Sequence, residues 1–151
     1  MKIYALMENI SHDECLACEH GLSLYIEADG KKILFDTGAS ENFAANAEKM
    51  GVDLKAVDFA AISHGHYDHG GGLAKFIELN DHAPIYISNK GFNQYYSGTD
   101  FNVSIPEGLE GNPRFVLTSE PIKLYENITL LNCNDREAKY FAGPYGLNKL
   151  V

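Results

Sequence analysis

His64-Gly65-His66-Tyr67-Asp68-His69 decides how this chain is read. Three imidazoles and a carboxylate within six residues are a ready ligand set for a borderline metal such as zinc. The run follows the apolar segment Val57-Asp58-Phe59-Ala60-Ala61-Ile62-Ser63 and precedes Gly70-Gly71-Gly72. That context predicts the end of a buried strand, entering a tight turn that opens a helix. The spacing lets His64 and His66 point one way while Asp68 and His69 address a neighbouring point. A two-metal hydrolytic centre needs such an arrangement, with its metals about 3.5–4 Å apart.

Outward from this cluster, strands and helices alternate. Lys2–Leu6 reads as a strand, followed by a polar loop to about Gly21. Leu22, Leu24 and Ile26 alternate with polar or amphipathic neighbours at a period of two. Asp29-Gly30 is a strong hairpin turn, and Lys32–Asp36 is the returning strand. Ser40 is placed to cap a helix from Glu41 to about Met50, stopped by Gly51. Phe59–Ser63 delivers the histidine turn, a helix follows over about Gly72–Leu79, and Ile85–Ser88 is a further strand. Residues 89–113 carry few periodic signals and are read as a long loop, either a substrate-facing flap or a surface insertion. Phe115–Thr118, Ile122–Tyr125 and Ile128–Asn132 are β-like runs, and Gly143-Pro144-Tyr145-Gly146 is turn-rich. The expectation is an α/β (α+β-like) chain with a mixed β-sheet and flanking helices.

Composition narrows the function. The 151 residues are 45% hydrophobic and 22% charged, as in a single globular domain. A net charge of −9 without basic clusters disfavours a nucleic-acid partner. No apolar run approaches the ~20 residues that span a bilayer, and the N-terminus lacks a signal-peptide pattern, so a cytoplasmic protein is expected. Three cysteines offer no disulfide framework. Cys15 and Cys18, flanked by His12 and His20, read as a redox pair, a small extra metal site or two reduced loop thiols. Cys133 reads as a small buried hydrophobe at a strand end.

Leu34-Phe35-Asp36-Thr37-Gly38 followed by Ile62-Ser63-His64-Gly65-His66-Tyr67-Asp68-His69-Gly70-Gly71 resembles the N-terminal half of the metallo-β-lactamase superfamily. Glu19-His20-Gly21-Leu22-Ser23-Leu24 is similar to one branch, which holds uncharacterised metal-dependent hydrolases and the dihydropterin-type synthase proposed for methanopterin biosynthesis. The resemblance implies the N-terminal half of an αββα sandwich, so that residues 1–151 are a partial domain. It implies His64 and His66 on one metal, Asp68 and His69 on a second, and Asp68 also orienting the nucleophile. Asp36 would be an outer acceptor fixing an imidazole, and His20 would line the pocket. Gly38 and glycines 70–72 would let backbone approach the metals.

The departures from that pattern also carry expectations. The family completes its site with later histidines and an acid. This chain has only His82 after His69, too early for that role, and Asp135 and Glu137 lack the family's sequence context. The chain therefore reads as truncated, with half of the metal ligands and one sheet face uncovered. Nine tyrosines and eight phenylalanines would then favour a homo-oligomer through that face. The activity implied is a metal-dependent hydrolase, in which a divalent metal (zinc, or else iron or manganese) activates water against a small-molecule ester, thioester, phosphoester or lactone. The alternatives are a metal-binding or assembly half-fold completed by a partner chain, and an iron-dependent redox enzyme on the same ligands.

Overall fold

The computed structural model describes residues 1–131 and the backbone of a strand at Leu147–Lys149. Cys133, Asp135, Glu137 and the turn at residues 143–146 lie outside the described residues.

The strands are β1 (Lys2–Met7), β2 (Ser23–Ala28), β3 (Lys31–Phe35), β4 (Phe59–Ile62), β5 (Ile85–Ser88), β6 (Tyr95–Ser97), β7 (Phe101–Asn102), β8 (Phe115–Thr118), β9 (Ile122–Tyr125), β10 (Ile128–Leu130) and β11 (Leu147–Lys149). The helices are α1 (Asn42–Lys49), the single turn α2 (Tyr67–Gly70) and α3 (Leu73–Leu79), with a 3-10 turn at Leu54–Ala56. Six strands form one sheet in the order β1-β2-β3-β4-β5-β8. β1, β2 and β3 pair antiparallel, while β3, β4, β5 and β8 run parallel. The expected mixed sheet is therefore present.

Alternation along the strands sorts the two faces. Leu34, Ala60, Ile62, Ile85 and Ile87 point to the helices and pack with Phe43 and Ala47 of α1 and with Leu73 and Phe76 of α3. On the other face Phe59 is buried under Tyr125, whose ring stacks on it at 6.0 Å, and beside Tyr86 at 5.9 Å. The β9–β10 hairpin thus covers the middle of that face. Ile3, at its β1 edge, stays 54% exposed.

Local chemistry explains most element ends. Asp29 and Gly30 both adopt positive φ (53° and 71°), as the hairpin's type I′ turn requires. The helix starts at Asn42, and Glu41 at the N-cap makes no side-chain cap bond. Ser40 Oγ accepts the Asn42 amide at 3.2 Å, so Ser40 serves the helix start as expected, from one residue before the N-cap. Glu19, from the loop after β1, holds the turn that carries it. Its Oε1 takes the Ala39 and Ser40 amides, and its Oε2 takes Ser40 Oγ and Asn42 Nδ2.

Residues 89–113 are more ordered than a long loop. They contain β6 and β7, bury Val103 and Ile105, and set Phe92 edge-on to Phe115 at 4.9 Å. β11 pairs antiparallel with β6.

Candidate metal centre

β3 and β4 are parallel neighbours, so their C-terminal ends lie side by side and release two turns at one sheet edge. Crevices outside the carboxyl ends of parallel strands are the usual ligand sites of such sheets. One turn carries Asp36 and the other carries residues 63–71.

Asp36 is fully buried and adopts a left-handed backbone, φ 59°. Its carboxylate is held from two sides. Oδ1 accepts the Ser63 amide at 2.7 Å, and Oδ2 accepts Ser63 Oγ at 2.8 Å. Oδ2 also lies 2.8 Å from His69 Nδ1. With a buried carboxylate on Nδ1, that nitrogen keeps its hydrogen and the Nε2 lone pair of His69 is left for a ligand.

His64, Asp68 and His69 place one donor atom each within 4.8 Å of one another, and theirs is the one such group of three among the described residues. His66 adjoins it, with its Nδ1 3.1 Å from His64 Nε2. All four sequence-predicted ligands are therefore brought together, with His64 central to the group rather than set apart with His66. His20 joins from the loop after β1, its Nε2 3.3 Å from Asp68 Oδ2. His69 Nε2 stands 3.5 Å from that same oxygen. His82 lies apart, beside Asp81.

The electrostatics suit a cation. Burial, reinforced by the neighbouring His69 and His66 rings, pushes the His64 pKa down to about 4. Burial also lowers that of His66. For His69 burial opposes charge, but the Asp36 hydrogen bond and the Asp36 and Asp68 charges outweigh it, and its pKa is raised. His64 and His66 are thus neutral donors at pH 7, and two carboxylates offset the charge of an incoming ion. Nitrogen and oxygen donors at such separations fit a divalent metal.

The glycines work between the turns. A Cβ on Gly71 would stand 2.2 Å from the Ala39 carbonyl oxygen, so the helix after the motif can pack on the Asp36 turn only without one. This close approach is chain on chain.

Several contributors carried no local signal. Ser63 bridges Asp36 and His64, its Oγ lying 2.9 Å from His64 Nδ1. Tyr95 sets its ring against His66 at 5.3 Å. The 103–105 backbone pins the motif through Tyr67 N to Val103 O and Ile105 N to Gly65 O. Cys15 and Cys18 are exposed free thiols. A groove of about 600 Å³ between α1 and α3, lined by Glu41, Ala44, Glu48, Leu54 and Lys75, contains none of the cluster residues.

A mixed sheet with helices on one face and a histidine–carboxylate cluster beyond its parallel strands defines a metal-site α/β protein. The chain belongs to the metallo-β-lactamase superfamily, whose family description matches residues 16–137. It is 31% identical to the 7,8-dihydropterin-6-methyl-4-(β-D-ribofuranosyl)-aminobenzene-5′-phosphate synthase of Methanocaldococcus jannaschii, over 91% of this chain and 52% of that protein. It is 32% identical to a metal-dependent hydrolase of Staphylococcus haemolyticus over 54% of this chain and 35% of that one. Among solved structures it is similar to Tm1679, a metal-dependent hydrolase of the β-lactamase superfamily. The TM-score is 0.69 at 32% identity, covering 85% of this chain and 46% of that one. The chain spans about half the length of the curated relatives that it matches over most of its own length. No helix among the described residues is long and apolar enough to cross a membrane.

Proposed function

We propose that this protein is a metal-dependent hydrolase acting in the cytoplasm on a small-molecule ester, thioester, phosphoester or lactone. One observation carries the reading: His64, Asp68 and His69 converge within 4.8 Å, with the His69 ring held by buried Asp36. The family and the metal-dependent hydrolases among its relatives support it.

His64 and His66 would hold one divalent cation, and Asp68 and His69 a second, with zinc favoured by the imidazole-rich donor set and iron or manganese as alternatives. The chemistry such cations supply when bound is Lewis acidity towards a water and towards the oxygen of the scissile group. The protein's own residues do the rest. Asp36 fixes the His69 tautomer, and Ser63 ties the two turns together. Asp68, on the first turn of α2, presents a carboxylate that would ligate the cation and accept a hydrogen bond from the water it orients.

The test is metal analysis of the purified protein with turnover of generic phosphodiesters and esters. Alanine at 64, 66, 68 or 69 is expected to lower bound zinc, iron or manganese and to abolish turnover. Unchanged metal content in all four variants would overturn the reading.

A further inference from the structure

We infer that Ser63 is a positioning residue, whose hydroxyl relays the hold of Asp36 to His64 and fixes that ring's tautomer with Nε2 left to ligate. The inference rests on the proposed metal centre and extends it to a residue outside the ligand set.

Three donors converge on the buried Asp36 carboxylate. Oδ1 takes the Ser63 amide at 2.7 Å, and Oδ2 takes Ser63 Oγ and His69 Nδ1, each at 2.8 Å. A carboxylate only accepts, and a serine hydroxyl carries a single hydrogen. That hydrogen therefore lies between Ser63 Oγ and Asp36 Oδ2. Turned elsewhere, it would leave two oxygens facing each other at 2.8 Å with no hydrogen between them.

His64 Nδ1 stands 2.9 Å from the same hydroxyl oxygen. With the hydroxyl hydrogen directed to Asp36, this second contact must take its hydrogen from the imidazole. A neutral imidazole with its hydrogen on Nδ1 keeps its lone pair on Nε2. In His64 that is the nitrogen facing His66 Nδ1 at 3.1 Å. Ser63 Oγ also lies 3.4 Å from His69 Nδ1, but the hydrogen of that nitrogen is already on Asp36. One buried acid thereby sets two rings, His69 directly and His64 through Ser63. Neutral imidazole in water favours its hydrogen on Nε2, so the relay holds His64 against its own preference.

The test is nitrogen-15 NMR of the histidine-labelled, metal-free protein at neutral pH, with zinc affinity read in parallel by chelator competition. Long-range proton–nitrogen correlations separate a ring nitrogen that bears hydrogen from one that bears a lone pair, and His64→Asn and His69→Asn assign the signals. Wild type is expected to show the hydrogen on Nδ1 in both rings. Ser63→Ala keeps the backbone amide on Asp36 but lacks the relay. His64 should then move towards the Nε2–H form while His69 stays as it was, and zinc affinity should fall about tenfold. Ser63→Thr keeps the hydroxyl, and the exposure of Ser63 leaves room for the methyl, so it should recover both readouts. A general loss of packing would not change one ring and spare the other. An Nε2–H form of His64 in the wild type, or an unchanged Nδ1–H form in Ser63→Ala, would overturn the inference and leave the metal centre standing if zinc still binds. A wild type that takes up no zinc would remove the centre, and with it the ligand role given to that lone pair.

Discussion

The Asp36 carboxylate and the His69 imidazole stand 2.8 Å apart, a fully buried acid against a half-buried ring. The pair comes from the turns that follow two parallel strands, whose ends the sheet brings level, and it is the joint on which the proposed site turns. Asp36 holds the ring from a left-handed backbone position, which asparagine tolerates far better than alanine.

Asp36→Asn is therefore expected to keep the fold and lose the charge that sets His69. Cation affinity should fall about 10- to 100-fold, the usual cost of removing such an outer partner. Chelator competition reads the change. Asp36→Ala should lose stability as well, since it leaves the Ser63 amide and hydroxyl without their acceptor and removes the short polar side chain that makes the left-handed backbone tolerable.

The histidines make the metal-free protein sensitive to acid, with opposite signs. The folded-state pKa of His64 is pushed down to about 4 from 6.5, so below pH 6.5 the unfolded chain takes its proton first. The contribution of His64 is intact above pH 6.5 and is lost as pH falls towards 4. His69 has a raised pKa, so its contribution is full below pH 6.5 and is lost as pH rises through the folded value. Urea unfolding in chelator across this range should show a shallower acid loss for His64→Asn than for wild type. His69→Asn should show a steeper one.

Much of this was legible from residue order. The Asp29-Gly30 turn, the alternation through β2, and the apolar run before His64 are local signals, and the strands fell where those signals lay. The ligand cluster was legible because one turn carries it. What stayed hidden depends on contacts far apart in sequence. Ser40 had the local pattern of a helix cap and accepts the Asn42 amide, but nothing local showed that Glu19, more than twenty residues earlier, holds Ser40 in place. The 89–113 segment shows no period because its two strands, β6 and β7, are only three and two residues long, and it is held as much by bonds to residues 65–67 as by its own pairing. Asp36 was legible as a strand-end acid, but not the bridge through Ser63.

Tyr95 tests that second connection. Its ring lies against His66, and its hydroxyl donates to the Lys90 carbonyl at 2.9 Å. Tyr95→Phe keeps the ring and should cost about 1 kcal/mol of stability, with cation binding at His64 and His66 unchanged. Tyr95→Ala removes the wall beside His66, and its cation affinity should drop below that of Tyr95→Phe. Equal affinities in the two variants would show that the ring does not position His66.

Asn46 links the helix layer to the loop after β1, which carries His20. It is buried on α1, 2% exposed. Its Nδ2 donates to the Leu6 and Ala17 carbonyls at 2.7 and 2.8 Å, and its Oδ1 accepts the Ala17 amide at 2.9 Å. Alanine here would strand three backbone groups at once, and each buried unsatisfied group costs about 1–3 kcal/mol unless water reaches it. Ala17 is part of the loop after β1 and can open to solvent, whereas the Leu6 carbonyl lies in a strand against the core. Asn46→Ala should therefore lose about 1–3 kcal/mol in urea unfolding, the lower range reflecting relief at Ala17. Hydrogen exchange should speed up at the Ala17 amide well beyond the global change. The amides of Ser63 and Tyr67, anchored on Asp36 and Val103, should slow or quicken only with global stability. Exchange rising equally at all three amides would mean that Asn46 supports the whole fold and not the His20 loop in particular.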